Sequence, residues 1–191
     1  PTLPTPRWTQ FLTDMVDLTL HPYLQRLAGY SASADVGHHV LPFLFGPGGN
    51  GKSVFLDVLR ALLGDYATTA PHDFLMAGRT QHETEIARLQ GMRLVICAEV
   101  NADDRFDEAK IKALTGGDTL TARFMRQDHF TFEPTHHLWL MGNHRPQVRA
   151  GGPSFWRRLR LLPFDRHVPP ERRIDNFARL LVAEEGPGIL A

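Results

Sequence analysis

Eight consecutive residues, Gly46-Pro47-Gly48-Gly49-Asn50-Gly51-Lys52-Ser53, fit the pattern G-x-x-x-x-G-K-[ST] without a mismatch. They follow the apolar run Val40-Leu41-Pro42-Phe43-Leu44-Phe45 and lead into a segment, Lys52 to Leu63, with apolar residues at helical spacing. The chemistry of such a run is phosphate binding. Glycines let the backbone turn its N–H groups inward around a polyphosphate, and the start of the following helix adds partial positive charge. The Lys52 ammonium reaches the β and γ phosphates of a nucleoside triphosphate such as ATP, and the Ser53 hydroxyl is a ligand for Mg²⁺. The expected nucleotide contacts run from Gly46 through Val54. The alternative, a glycine-rich turn with an incidental Lys-Ser, is disfavoured by the strand before it and the helix after it.

Hydrolysis needs an acid near the attacking water. A second apolar run, Leu94-Val95-Ile96-Cys97-Ala98, ends in Glu99. On a strand beside the loop, Glu99 is expected to position or deprotonate the water and to share Mg²⁺ with Ser53. Its alternative is a surface glutamate closing a strand. A third run, Leu138-Trp139-Leu140-Met141-Gly142, ends in Asn143, whose amide would reach the γ phosphate or the water, with loop capping as the alternative.

The elements that must hold these groups follow from periodicity. Trp8, Phe11, Leu12, Met15, Tyr23, Leu24 and Leu27 predict two amphipathic helices, broken near His21-Pro22 and closed by Gly29. Strands are expected at Val40–Phe45, Arg93–Ala98, His137–Met141 and Leu159–Phe164. Helices are expected at Lys52–Leu63 (ended by Gly64), Gln81–Gln90, Asp107–Leu114 and Glu171–Glu184. Alternating strands and helices predict an α/β fold with a mostly parallel sheet covered on both faces. Thr119–Phe124 and His129–Glu133 alternate polar and apolar residues around Met125-Arg126-Gln127-Asp128, the pattern of an inserted β-hairpin. The expected organisation is a helical lead-in over 1–36, an ATPase core over 37–170 and a C-terminal helix over 171–191.

At 191 residues and 42% hydrophobic, the chain is long enough for one compact domain with a real core. The lone cysteine, Cys97, excludes an internal disulfide and a cysteine-rich zinc site, and the histidines show no ligand ladder. A reducing, cytoplasmic setting without membrane insertion is expected. The chain lacks an initiator Met, so a piece of something longer is expected. Net charge is zero, which argues against general coating of nucleic acid. Between Thr119 and Arg166, however, arginines 123, 126, 145, 149, 157, 158, 160 and 166 face only Asp128, Glu133 and Asp165.

Four stretches together resemble the superfamily 3 helicase domain of phage and plasmid primase-helicases, a group that includes the poxvirus primase-helicase. They are GPGGNGKSVFLDVLRALLGDYA (Gly46 to Ala67), RLVICAEV (Arg93 to Val100), IKALTGGDTLTARFMRQDHFTFEPTHHLWLMGNHRP (Ile111 to Pro146) and FWRRLRLLPF (Phe155 to Phe164). The resemblance implies an AAA+-like P-loop ATPase core in a ring, usually a hexamer, moving single-stranded DNA through its pore. It places Lys112 through Phe132 in a pore hairpin, with Lys112, Arg123 and Arg126 as phosphate contacts; pairing of Arg123 with Asp118 or another acid is the alternative. Six copies of such charges make a basic channel from a neutral chain.

The same resemblance implies that one of Arg157 and Arg158 reaches into a neighbour's nucleotide, with Arg158 slightly favoured and the other an ion-pair partner. It also implies a primase domain in the full-length protein, a replication-fork substrate and a bacterial host cytoplasm. Here Glu99 is followed by Val100-Asn101-Ala102-Asp103, where many relatives carry further acids, so a second magnesium carboxylate is not matched. An AAA+ machine that remodels protein and a nucleotide-gated module that does not hydrolyse are the alternatives to a DNA motor.

Overall fold

The computed structural model describes residues 3–78, 83–100 (98–100 as backbone only), 105–144 and 152–191. Five strands form one parallel sheet: β1 Leu41–Phe45, β2 Ala67–Ala70, β3 Leu94–Val100, β6 His137–Gly142 and β7 Leu159–Pro163, in the order β2-β3-β6-β1-β7. Two further strands, β4 Leu120–Ala122 and β5 Phe130–Phe132, make a separate antiparallel hairpin. Among the described residues, seven α-helices join and cover them: α1 Pro6–Met15, α2 His21–Ser33, α3 Lys52–Leu63, α4 Glu83–Ala87, α5 Glu108–Thr115, α6 Pro153–Trp156 and α7 Phe177–Leu190. The expected α/β class, helical lead-in and inserted hairpin are all present.

Alternation along the strands produces two cores. Phe43, Val95, Cys97, Leu138 and Leu140 pack with Phe74, Ile111, Leu114 and Phe155 on one face. Leu44, Ile96, Trp139, Leu162 and Phe164 pack with Phe11, Met15, Leu24 and Phe55 on the other. Both faces are dry, so strand residues of either parity are apolar and the strands read as continuous runs. Burial in β3 pushes the Cys97 thiol up to about 12, leaving it a packing group.

The exceptions have local causes. α2 begins with His21-Pro22, where proline's missing N–H costs nothing, but it runs past Gly29 to Ser33 because Leu24, Leu27 and Ser31 stay buried along one face. The edge strand β2, Ala67-Thr68-Thr69-Ala70, carries no apolar run and was not anticipated. The Gln81–Gln90 helix is reduced to Glu83–Ala87 within the described residues, and Gln81 lies outside them. The tail helix spans Phe177–Leu190 rather than Glu171–Glu184. Pro170–Arg172 forms only a 3-10 turn, and Asn176, at φ 54°, precedes the first helical residue.

α7 continues through Gly186-Pro187 because it is docked there. The buried Glu185 carboxylate accepts the Arg7 and Trp8 backbone N–H groups at 2.9 Å each, filling the donors at the N-terminus of α1, and Glu184 pairs with Arg7 at 2.9 Å. α7 thereby fastens α1 over α3 and the loop that precedes it. Among the described residues, no helix is long and apolar enough to cross a membrane.

Candidate functional site

The loop Gly46–Gly51 leaves the carboxyl end of β1 and closes into α3. Two glycines show why side chains are excluded. Gly46 sits at φ 147°, and a Cβ there would stand 2.1 Å from the Phe164 carbonyl oxygen. Gly51 caps α3 at φ 79°, and a Cβ would come within 2.8 Å of Phe11 Cε2 and 2.9 Å of Met15. The loop is thus pressed between β7 and α1. The Asn50 side-chain amide donates to the Phe164 carbonyl, fixing the loop to the end of β7.

Lys52, the first residue of α3, is buried and points back along the loop. Its ammonium donates to Gly46 O at 2.7 Å, Pro47 O at 3.2 Å and Asn50 Oδ1 at 2.8 Å, and stands 3.5 Å from Asn143 Oδ1. The register explains the meeting: Phe45 pairs with Gly142, so Asn143 leaves β6 level with the start of the loop. β3 reaches the same end of the sheet with a register shift between Cys97 and Val100, which places the Glu99 backbone there. The side chain of Glu99 lies outside the described residues, as do Asn101, Ala102, Asp103, Arg145 and Arg149. Ser53 is exposed at the rim, its hydroxyl 3.8 Å from Met141 Sδ.

Gly48 to Val54 with Met141, Gly142 and Asn143 line a cavity of about 240 Å³. A narrow cradle of glycine backbone at a helix N-terminus, with a lysine in its floor and a hydroxyl at its rim, fits a polyphosphate with its magnesium ion. Of the residues lining the cavity, Ser53 offers a hydroxyl that would hold such an ion.

Motif reading did not reach the residues that cover this loop. The segment after β7 folds over it: Val168 N–H donates to Gly49 O at 3.1 Å, and His167 Nδ1 lies 3.3 Å from Gly48 O. Arg173 Nη2 lies 3.3 Å from His167 Nε2, while its Nε donates to Val168 O at 3.2 Å. An arginine N–H can only donate, so His167 Nε2 accepts from Arg173. His167 and Arg173 belong to no motif, and their placement depends on the turn at Pro169-Pro170.

The tandem arginines part company. Arg158 is buried: its Nε donates to Thr115 Oγ1 at 3.0 Å and its Nη1 to Ser154 O at 2.5 Å. Burial and the neighbouring Arg157 charge hold its pKa below the usual arginine range. The leaning toward Arg158 as the outward-reaching residue is therefore corrected. It ties α5 and α6 together inside its own chain, while Arg157 is exposed.

Both arginines precede β7, whose first residue, Leu159, pairs with Leu41 at the start of β1. The loop leaves the other end of β1. A strand of this length separates the two ends by roughly 13 Å, beyond the reach of one arginine side chain.

The hairpin candidates are also sorted. Arg123 forms an ion pair with Glu83, which also meets His129 Nε2 at 3.1 Å. The alternative foreseen for Arg123, an acid partner, is thus realised with Glu83 rather than Asp118. The His129 hydrogen bond, with a further contribution from Arg123, holds the Glu83 carboxyl below the usual range. Lys112 Nζ stands 4.0 Å from Glu108 on the same helix. Arg126 is exposed at φ 62° in the turn, beside Met125, which is 77% exposed, and Phe124, stacked on Phe130 at 5.9 Å.

Comparison with known proteins adds relatives. A protein of Acanthamoeba polyphaga mimivirus, named as a candidate helicase, is 29% identical over 151 residues, covering 78% of this chain and 16% of its own length. Similarly named proteins of Frog virus 3 and Invertebrate iridescent virus 6 are 28% and 29% identical, each covering 66% of this chain and 14% of their own length. The chain therefore spans only 14 to 16% of the length of these relatives. Among solved structures, the apo A form of the NrS-1 C-terminal region superposes with a TM-score of 0.71 at 13% identity, over the whole of this chain and 45% of that one. A second apo structure of that region, residues 305–718, gives 0.64 at 13% identity over 95% of this chain and 44% of that one, so the likeness is one of fold. One family model matches residues 44–158, from the last residues of β1 to Arg158, and by that match the chain belongs to the family described as Family of unknown function (DUF5906).

Proposed function

We propose that this domain is the ATP-driven motor of a DNA helicase of the superfamily 3 type, within a replication protein of a viral, phage or plasmid genome. The observation that carries the reading is the separation along one pair of strands: the phosphate cradle lies at the carboxyl end of β1, and the exposed Arg157 lies before the amino end of β7. One copy of the chain cannot bring both to the same triphosphate. A neighbour in a head-to-tail ring can, and a heterologous contact of that kind closes into a ring when its rotation permits. A hexamer, as in the family this chain resembles, is the expected state. The helicase names of the viral relatives and the fold shared with the NrS-1 C-terminal region support the reading.

In this reading the loop N–H groups and Lys52 hold the β and γ phosphates, and Ser53 with Glu99 holds Mg²⁺, which neutralises phosphate charge. Glu99 orients or deprotonates the water, and Asn143, close to Lys52, positions the γ phosphate. Arg157 of the adjacent copy neutralises charge developing on the transferred phosphoryl group, an effect on the order of 10³ or more in rate. The hairpin carries Arg126, and Lys112 and Arg123 once drawn from Glu108 and Glu83, toward single-stranded DNA in the pore. A primase domain elsewhere in the full-length protein and a host-cytoplasmic location go with this assignment.

The experiment is ATP turnover with and without single-stranded DNA, together with the mass of the particle. The account predicts turnover in an oligomer, raised several-fold by DNA. Turnover indifferent to DNA would point to a protein-remodelling machine. Nucleotide binding without phosphate release would point to a gated assembly module.

A further inference from the structure

The hairpin and the exposed Arg157 are joined inside one chain by a single side chain. Thr115, the last residue of α5, is followed by Gly116-Gly117-Asp118 and then by β4, the first strand of the hairpin. α6 is one short turn, Pro153–Trp156, and Arg157 is its C-cap. Buried between these two elements, Arg158 donates from Nε to Thr115 Oγ1 at 3.0 Å and from Nη1 to Ser154 O at 2.5 Å. We propose that this Thr115–Arg158–Ser154 bridge makes the root of the hairpin and the turn bearing Arg157 one mechanical unit. Arg158 is then a positioning residue, through which DNA on the hairpin sets Arg157 against the neighbouring copy's nucleotide.

The inference rests on the motor reading and adds the route between its DNA-facing and nucleotide-facing parts. Each end of the bridge is itself held. The buried Thr115 hydroxyl donates to Ile111 O at 2.6 Å, which ties the acceptor to the backbone of α5. Phe155 of α6 is fully buried, its ring centroid 5.9 Å from that of Phe106, just before α5. Arg160 Nη1 donates to Arg157 O at 2.6 Å and so steadies the backbone that presents the Arg157 side chain. Among the described residues the hydrogen-bond partners of the Arg158 guanidinium are a hydroxyl and a carbonyl, not a carboxylate. A buried charge met by neutral acceptors gives up solvation that an apolar filler of the same volume would not. What the guanidinium supplies and a filler does not is donors in a fixed planar fork. Held at both tines, that fork converts a shift of α5 into a shift of α6.

The test measures ATP turnover against single-stranded DNA concentration, with DNA affinity by fluorescence anisotropy, for the whole chain as wild type, Thr115→Val, Thr115→Ser and Arg158→Lys. Valine keeps the size of threonine and deletes the acceptor, whereas serine keeps the acceptor. The quantity read is the ratio of DNA-stimulated to basal turnover, which a general loss of stability does not move. In Thr115→Val the several-fold stimulation of the wild type should fall below about 1.5-fold, with basal turnover and DNA affinity within about twofold, because only the coupling is lost. Thr115→Ser should restore it. Arg158→Lys keeps the charge without the fork and should likewise lose stimulation, so the bridge remains testable even if Thr115→Val does not fold. Stimulation retained in Thr115→Val and Arg158→Lys, or basal and stimulated turnover falling in equal proportion, overturns the bridge while leaving the motor standing. A wild type that DNA does not stimulate overturns both.

Discussion

Arg157 and Arg158 are adjacent, chemically identical and assigned opposite tasks by what surrounds them. Removing Arg158 leaves the Thr115 hydroxyl and the Ser154 carbonyl without their donor inside the protein, so Arg158→Ala should lower stability by about 1 to 3 kcal/mol in urea unfolding. Arg157→Ala removes an exposed group and should leave stability within about 0.5 kcal/mol. Its effect belongs to turnover, which should fall on the order of 10³-fold. If the two variants exchange these outcomes, the assignment is reversed. The loop residues were legible because glycine, lysine and serine at fixed spacing satisfy one local requirement. The division between the arginines was not legible, because it is decided by Thr115, more than forty positions away in sequence, and by the short turn of α6.

α1 is held as an element by a charge at its N-terminus supplied from α7. Glu185→Ala should cost about 1 to 2 kcal/mol, as for loss of a strong helix cap, and should loosen α1 from the loop it covers. Denaturant midpoints, with hydrogen exchange at residues 6–15, measure this; unchanged exchange there would mean the carboxylate does not fasten the helix. The β4–β5 hairpin makes a separate prediction. Arg126→Ala should reduce the slope of log affinity for single-stranded DNA against log salt by about 0.7, the weight of one phosphate contact, while basal ATP turnover holds. An unchanged slope removes Arg126 from the DNA path.

Elements with apolar runs on both faces, β1, β3 and β6, could be read from sequence because a covered parallel sheet demands them. β2 could not, since an edge strand of alanine and threonine needs little beyond backbone pairing to Ala67–Ala70's neighbour, β3. α7 was displaced by six residues because its limits come from docking onto α1 and α3, not from its own periodicity.

The whole molecule also carries a pH signature. Burial lowers His136 and His137 from 6.5 to about 4; the His137 charge further lowers the first, and Asp35 partly offsets the second. The folded state then binds fewer protons than the unfolded chain below pH 6.5. Stability conferred by the neutral rings is present above 6.5 and lost as pH falls through about 4, by on the order of a few kcal/mol. Urea midpoints between pH 7 and 4.5 should fall accordingly, and replacing both histidines with apolar residues should flatten the curve. Class and sheet character were legible at this scale from alternating elements, but the strand order was not, because crossovers leave no local mark. The claim on which the functional account turns is that two copies complete one catalytic site. Its most direct measurement is ATP turnover in mixtures of Lys52→Ala and Arg157→Ala chains, each nearly inactive alone. The account predicts partial recovery on mixing, since some interfaces then join an intact cradle to an intact arginine; no recovery, with the mixed particles shown to assemble, would contradict it.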